Sequence, residues 1–271
     1  MTPIEKKLLR KLGQADKRFG LIEDGDRIMV AVSGGKDSWG LLKLLRVFQK
    51  RSPLRFDIVA VTLDQGQPGF DGRALESYYQ THQFEYRVEY RDTFSVVLDK
   101  TPEGKAYCAL CSRMRRGILY RIAEELGASK IALGHHRDDF IETLLLNQFY
   151  AGRIRAMAPK LIEADGGATV IRPLVFAAEA DLVTYAAEEA FPIIPCNLCG
   201  SQEQLKRKEV KRLLSVLEQE NPRIRGNLLA ALGNVEFGHL LLDSTSPLPT
   251  EEASSTMKSR PLVTITSPGI S

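Results

Sequence analysis

The chain of 271 residues has no apolar run near the roughly 18 residues needed to cross a bilayer, and its first residues lack the apolar stretch of a secretory signal. A membrane span is not expected, and a reducing cytoplasm is the expected setting. Charge of one sign is also scarce. The 37 Lys and Arg against 34 Asp and Glu leave a net charge of only +3, which says little about nucleic acid unless basic residues cluster. They do cluster: Lys6, Lys7, Arg10 and Lys11; Arg113, Arg115 and Arg116; Lys206, Arg207, Lys208, Lys211 and Arg212. Cysteine is rare, with 4 in all, yet these fall into two Cys-x-x-Cys pairs, which in a reducing compartment point to metal rather than a disulfide. No internal repeat is visible. A hydrophobic content of 44% suffices for a full core, as one large domain or a domain with a small appendage.

Helix and strand signals alternate along most of the chain. Thr2 as cap, Pro3 in the first turn and Glu5 completing a capping box predict an N-terminal helix, with Ile4, Leu8, Leu12 and Ala15 on its apolar face. Arg27 to Val32 is a short β-branched run that suits a buried parallel strand. A helix over Trp39 to Phe48 follows. Then come strand Asp57–Leu63, helix Arg73–His82, strand Tyr86–Tyr90, helix Ser112–Leu126, strand Lys130–Leu133 and helix Asp139–Phe149. This order predicts an α/β fold with a doubly wound, mostly parallel sheet. Further helices are expected at Glu179–Ala190, Gln202–Glu218 and Pro222–Leu242, so extra helices stand at both ends of the chain. Beyond Asp243 the composition shifts to Ser, Thr, Pro and Glu. The expected organisation is therefore one domain over 1–242 and a disordered tail over 243–271.

The strongest chemical signal is Ser33-Gly34-Gly35-Lys36-Asp37-Ser38, between the first inner strand and its helix. Two glycines let backbone N–H groups approach an oxyanion, and the helix N-terminus adds partial positive charge. Lys36 can add a full charge, while Ser33 and Ser38 can donate hydroxyl hydrogen bonds. It is not a Walker A loop, because Asp37 follows Lys36 and Val30 stands where that motif has its leading glycine. Ser-Gly-Gly-Lys-Asp-Ser resembles the signature of the PP-loop ATP pyrophosphatases, which bind the pyrophosphate of ATP and adenylate a carbonyl oxygen. A second block, Gly134-His135-His136-Arg137-Asp138-Asp139 with Glu142-Thr143, resembles that superfamily's second motif at the end of a strand. Asp138 and Asp139 are candidates to place Mg²⁺, or simply acids favoured at a helix start. Asp64, closing Val61-Thr62-Leu63-Asp64, resembles the place where the superfamily holds adenosine. His136 and Asp139 join Ser33–Ser38 and Asp64 as candidate nucleotide-binding residues, with Lys36 and Asp37 as catalytic candidates.

Cys108 and Cys111 form one pair, and Cys196 and Cys199 the other, too far apart for a compact zinc ribbon. Tertiary folding must unite them, for a Cys₄ zinc site or for an iron–sulfur cluster. The flanking residues carry a further resemblance. Tyr107-Cys108-Ala109-Leu110-Cys111-Ser112-Arg113 and Pro195-Cys196-Asn197-Leu198-Cys199-Gly200-Ser201-Gln202 are similar to the two cysteine motifs of the tRNA 2-thiocytidine synthetase (TtcA) family. With the two loop motifs, this likeness runs over most of residues 20–242.

The resemblance implies ATP- and Mg²⁺-dependent sulfur transfer to C2 of cytidine 32 in tRNA and a [4Fe-4S] cluster held by three cysteines. It also implies a cysteine desulfurase as sulfur donor and a homodimer. Cys108 and Cys111 stand just before a helix, so both thiolates can face its N-terminus. Cys199 is the expected third ligand, because it is nearer than Cys196 to the following helix and Gly200 permits close backbone approach. The rival readings are another PP-loop adenylating ligase and a zinc-stabilised RNA-binding protein without catalysis. Arg113, Arg115 and Arg116 are candidate phosphate or AMP contacts, or a solvated helix face. The basic N-terminal helix and the Lys206–Arg212 stretch are the expected tRNA contacts. Trp39 is expected in the core.

Overall fold

The computed structural model of the chain describes residues 1–101, 108–162, 167–194 and 202–241, apart from the side chains of 108–109 and 202–204. The chain forms two units, Met1–Leu229 and Ala230–Ser271. No described helix is long and apolar enough to cross a membrane.

The first unit opens with α1 (Pro3–Phe19), started by Thr2, whose hydroxyl accepts the Glu5 N–H at 3.3 Å, and stopped by Gly20 at φ 57°. Strand β1 (Arg27–Ala31), helix α2 (Lys36–Gln49), strand β2 (Asp57–Asp64), helix α3 (Arg73–Thr81) and strand β3 (Glu85–Tyr90) then form right-handed βαβ steps outward to one side. After α4 (Thr93–Lys100) and α5 (Cys108–Glu125), the chain returns to the other side of β1 as β4 (Lys130–Ala132). Helix α6 (Arg137–Ala151), strands β5 (Lys160–Leu161) and β6 (Thr169–Ile171), and helices α7 (Glu179–Glu189), α8 (Gln202–Glu220) and α9 (Ile224–Ala231) complete the order. The sheet runs β3-β2-β1-β4-β6-β5, parallel except for the antiparallel edge strand β5. The expected α/β class with a doubly wound, mostly parallel sheet is what forms.

Both sheet faces are covered, which is why its strands read as continuous apolar runs. On one face α5 packs Ile122 and Ala123 onto Met29, Val59, Val61, Ile131 and Val170. On the other, α2 packs with α7 and α1. Trp39 is fully buried there, stacked with Tyr78, Tyr79 and Phe191. Helix α8 is fixed to α6 through Val210 and Leu214 against Ile141 and Leu145, burial that contributes about 1.5–3 kcal/mol per side chain.

Several element boundaries differ from the sequence expectation. Helix α2 begins at Lys36 rather than Trp39, α5 at Cys108 rather than Ser112, and α6 at Arg137 rather than Asp139. In each case the motif residues themselves make the first turn. Helix α4, capped by Asp92, and the two- and three-residue strands β5 and β6 are additions. The expected helix 222–242 stops at Ala231, where Gly233-Asn234 forms a turn, and only a 3₁₀ turn at Phe237–His239 follows. The expected tail, 243–271, lies outside the described residues.

Candidate active site

The sheet reverses its winding between β1 and β4, so a crevice opens where their C-terminal ends diverge. Residues Ser33–Ser38 leave β1 at this point and Gly134–Asp139 leave β4 beside them. Gly34 takes φ 83°, a left-handed conformation that suits glycine, and Gly35 caps α2 with no side-chain hydrogen bond. The first amides of α2 therefore remain available to an anion. Ser38 holds the loop's shape: its hydroxyl donates to the Gly35 carbonyl at 2.9 Å and accepts the Ser33 N–H at 3.2 Å.

Gly134 explains how closely the two segments meet. A Cβ there would lie 3.0 Å from the Asp37 carbonyl carbon and 3.0 Å from the Ser38 nitrogen, so only glycine lets the end of β4 pass behind the loop. His136, 3% exposed, then brings Nε2 to 3.8 Å from Asp37 Oδ2. Its backbone N–H donates to Asp139 Oδ2 at 2.9 Å, which starts α6.

Charge in the crevice is arranged as a chain. Lys36 Nζ lies 3.0 Å from Asp37 Oδ2 and 3.3 Å from Glu179 Oε1. Burial alone would pull this ammonium down, but Asp37 and Glu179 outweigh it and hold the pKa above its usual value. Glu179 also meets Lys211 at 2.9 Å, and Lys211 and Arg207 of α8 flank Glu142 at 3.6 and 3.3 Å. Glu142 is 0% exposed, and its pKa is raised by burial against the pull of Lys211 and Arg207. Asp138 is committed elsewhere. It accepts the Glu179 N–H at 2.8 Å and pairs with Arg225 at 2.8 Å and Arg137 at 3.2 Å. Burial would raise its pKa, but these donors outweigh it and lower the carboxyl below the usual value. Asp139 is likewise engaged, by His136 N–H and by Arg207 at 3.3 Å. The carboxylate oxygen of the loop that is buried without a hydrogen-bond partner among the described residues is Asp37 Oδ1.

Asp64 ends β2, beside β1, and its Oδ1 accepts the Gly66 N–H at 2.9 Å, turning the chain toward α3. The next residue, Gln65, reaches the first cysteine pair: its Oε1 lies 3.5 Å from Cys111 Sγ and 3.3 Å from Thr93 Oγ1. Cys108 and Cys111 thus belong to the first turn of α5, not to a segment before it, and Cys111 is half-buried. The side chain of Cys108, and all of Cys196 and Cys199, lie outside the described residues. The approach to the second pair is described. Ile194 N–H donates to the Gly34 carbonyl at 3.0 Å, and Trp39 Nε1–H donates to the Pro192 carbonyl at 3.2 Å.

The structure therefore brings Ser33–Ser38, His136 and Asp139 together, with Asp64 on the adjacent strand and Cys111 beside Gln65. Sequence reasoning passed over Glu179, Gln65, Ile194 and Arg172. Glu179 looked like an ordinary acid at a helix start, and Arg172 follows a strand too short to read.

Sheet order, loop and crevice define a PP-loop protein, and the family model described as a PP-loop domain matches residues 3–194. The chain belongs to the tRNA-cytidine(32) 2-sulfurtransferase family, a family of enzymes. It is 56% identical over 237 residues to the tRNA-cytidine(32) 2-sulfurtransferase of Sorangium cellulosum (strain So ce56), covering 88% of this chain and 84% of that one. To the enzyme of the same name from Tolumonas auensis it is 53% identical over 238 residues, covering 88% and 79%. Among solved structures, the U34-tRNA thiolase NcsA from Methanococcus maripaludis with its [4Fe-4S] cluster superposes with a TM-score of 0.72 at 22% identity, over 88% of this chain and 80% of that one. That likeness concerns the fold. The family resemblance read from the motifs is the one the relatives carry.

Proposed function

We propose that this chain thiolates tRNA at C2 of cytidine 32, in an ATP-dependent reaction that adenylates the base oxygen before sulfur replaces it. The observation that carries the reading is convergence: the phosphate loop, Cys111 and the approach to the second cysteine pair all meet at one edge of one parallel sheet. The free amides of α2 and Lys36 take the pyrophosphate of ATP, and Asp64 lines the adenosine side. The C2 oxygen of cytidine attacks the α-phosphorus and pyrophosphate leaves, its developing charge met by Lys36 and the helix N-terminus. A sulfur nucleophile then forms the C2–S bond, and AMP departs with the former C2 oxygen. The base reaches the site by leaving its stack, which an anticodon loop permits at low cost.

Asp37 Oδ1 fits Mg²⁺, which takes one or two carboxylates together with phosphate oxygens and neutralises them. Asp138 and Asp139, occupied by cations and backbone N–H groups, are poorer candidates. Cys108, Cys111 and Cys199 would hold a [4Fe-4S] cluster, which supplies a bound sulfur at the crevice. Cys111 fits, being half-buried on the loop side of the sheet and hydrogen-bonded to an amide. Sulfur comes from a cysteine desulfurase, the working form is a homodimer, and the setting is the cytoplasm.

The test separates the parts. Lys36→Ala and Asp37→Ala should lose pyrophosphate release while retaining iron and acid-labile sulfide after anaerobic purification. Cys108→Ala, Cys111→Ala and Cys199→Ala should lose visible cluster absorbance and thiolation while still binding ATP, and Cys196→Ala should keep the cluster. Pyrophosphate release by Lys36→Ala at the wild-type rate would remove the loop from the chemistry. Zinc without iron in the wild-type protein would leave the zinc-stabilised reading standing.

A further inference from the structure

The C-terminal edge of the sheet holds a second concentration of positive charge, away from the phosphate loop. Arg172 directly follows β6, and Leu133 N–H donates to the Ile171 carbonyl at 3.0 Å, so Arg172 stands beside the end of β4 and His135. Its guanidinium is largely enclosed. One nitrogen donates to the Ala158 carbonyl at 2.5 Å, and Nε is buried with no hydrogen-bond partner among the described residues. The neighbouring charges that act on it are the Tyr120 hydroxyl and the cation Arg116, with no carboxylate among them. His135 Nδ1 is also buried without a partner among the described residues. Burial first, and then Arg172, Arg115 and Arg207, push this imidazole down to about 4 against the opposing pull of Asp139. Of these cations Arg207 is paired, with Asp139 and Glu142. Arg115 and Arg116 are exposed on α5 and make no ion pair among the described residues.

An enclosed guanidinium without a counter-ion is costly to fold, and the cost is offset where a ligand supplies the anion. Planar guanidinium groups suit phosphate in particular. The pyrophosphate of ATP is not the natural occupant, because its loop follows β1. Strand β6 is two positions away in the order β1-β4-β6, about 10 Å at the usual strand spacing. Arg115 follows Cys111 by one helical turn on the same face of α5, so the anion would lie near the sulfur side of the crevice.

We infer that Arg172, Arg115 and Arg116, with His135, clamp a phosphodiester of the RNA substrate next to the nucleotide being modified. This rests on the tRNA-thiolation reading. It adds a backbone grip that orients the unstacked base without reading its identity, as phosphate contacts do.

The experiment uses the full chain and an anticodon stem-loop RNA, titrated at several salt concentrations, with ATP affinity measured in parallel. Arg115→Gln/Arg116→Gln and, separately, Arg172→Gln should each weaken RNA binding about tenfold and flatten the salt slope by about 1. A single methylphosphonate linkage flanking the target cytidine, which is uncharged, should weaken wild-type binding by a similar factor. It should add little to either variant, since the contact is already gone. If Arg172→Gln does not fold, the exposed Arg115/Arg116 pair carries the test. RNA affinity and slope unchanged in the foldable variants would overturn the clamp. So would additive effects of methylphosphonate and substitution. Weakened ATP binding with intact RNA binding would assign these cations to a nucleotide phosphate instead. If the wild-type protein itself neither binds nor thiolates the RNA, the underlying reading fails, and the clamp with it.

Discussion

His135 and Asp138, three positions apart on the same motif, are buried for different ends. Asp138 is a structural anchor: with side chains 4% and 13% exposed, its pair with Arg225 pins the start of α9 to the start of α6. Removing one partner of a buried pair leaves an uncompensated charge, so Arg225→Met should destabilise the protein by roughly 3 kcal/mol in urea unfolding. A change under about 0.5 kcal/mol, the range of ordinary surface substitutions, would show the pair to be dispensable. His135 is held neutral by burial and by the cations Arg172, Arg115 and Arg207, with Asp139 the one acid opposing them. Its folded pKa of about 4 lies below the usual 6.5, so between these values the unfolded chain binds a proton that the folded chain refuses. The stability it contributes is whole above pH 6.5 and is lost as pH falls toward 4. Between pH 6.5 and 5 the wild type should lose about 2 kcal/mol more than His135→Asn in urea titrations. Parallel pH profiles would refute this.

Among the elements, the contact of β4's exit with the phosphate loop is the tightest constraint. Gly134→Ala would place a methyl 3.0 Å from the loop backbone, where no flexible side chain can yield. Overpacking of this kind costs about 1–3 kcal/mol, and here the strain falls on the loop that takes the anion. ATP affinity should drop at least about tenfold by calorimetry, a loss equal to about 1.4 kcal/mol. Wild-type affinity would mean that the loop can retreat freely. The sequence made the helices and long strands legible because their periodicity is local. Ser-Gly-Gly-Lys-Asp-Ser and Gly-His-His-Arg-Asp-Asp could be paired because both sit at strand ends. Glu179, Gln65 and Arg172 stayed hidden because each acquires its role from a partner distant in sequence: Lys36, Cys111 and His135. The availability of the basic residues was hidden too, since Arg207 and Lys211 count as surface charge in sequence but face Glu142 in space.

For the whole molecule this changes where RNA contacts are to be sought. The Lys206–Arg212 stretch divides by helix face. Arg207 and Lys211 turn inward to carboxylates, and Lys206 lies over the Tyr150 ring at 4.4 Å, while Lys208 and Arg212 are exposed. Lys208→Ala/Arg212→Ala should flatten the salt dependence of tRNA binding with little change in stability. Arg207→Ala/Lys211→Ala should lower the melting temperature instead. The reverse assignment, seen by filter binding and calorimetry, would require α8 to turn over on binding.

The hydrogen bond from Ile194 to Gly34 ties the loop that receives ATP to the strand of chain leading into the second cysteine pair. A phosphate entering the loop must either keep that peptide bond's geometry or break it. Energy source and sulfur source are thus geared together by one amide. The Ile194 N–H becomes a built-in reporter, and its rate of deuterium uptake should change when ATP enters, before any RNA has arrived.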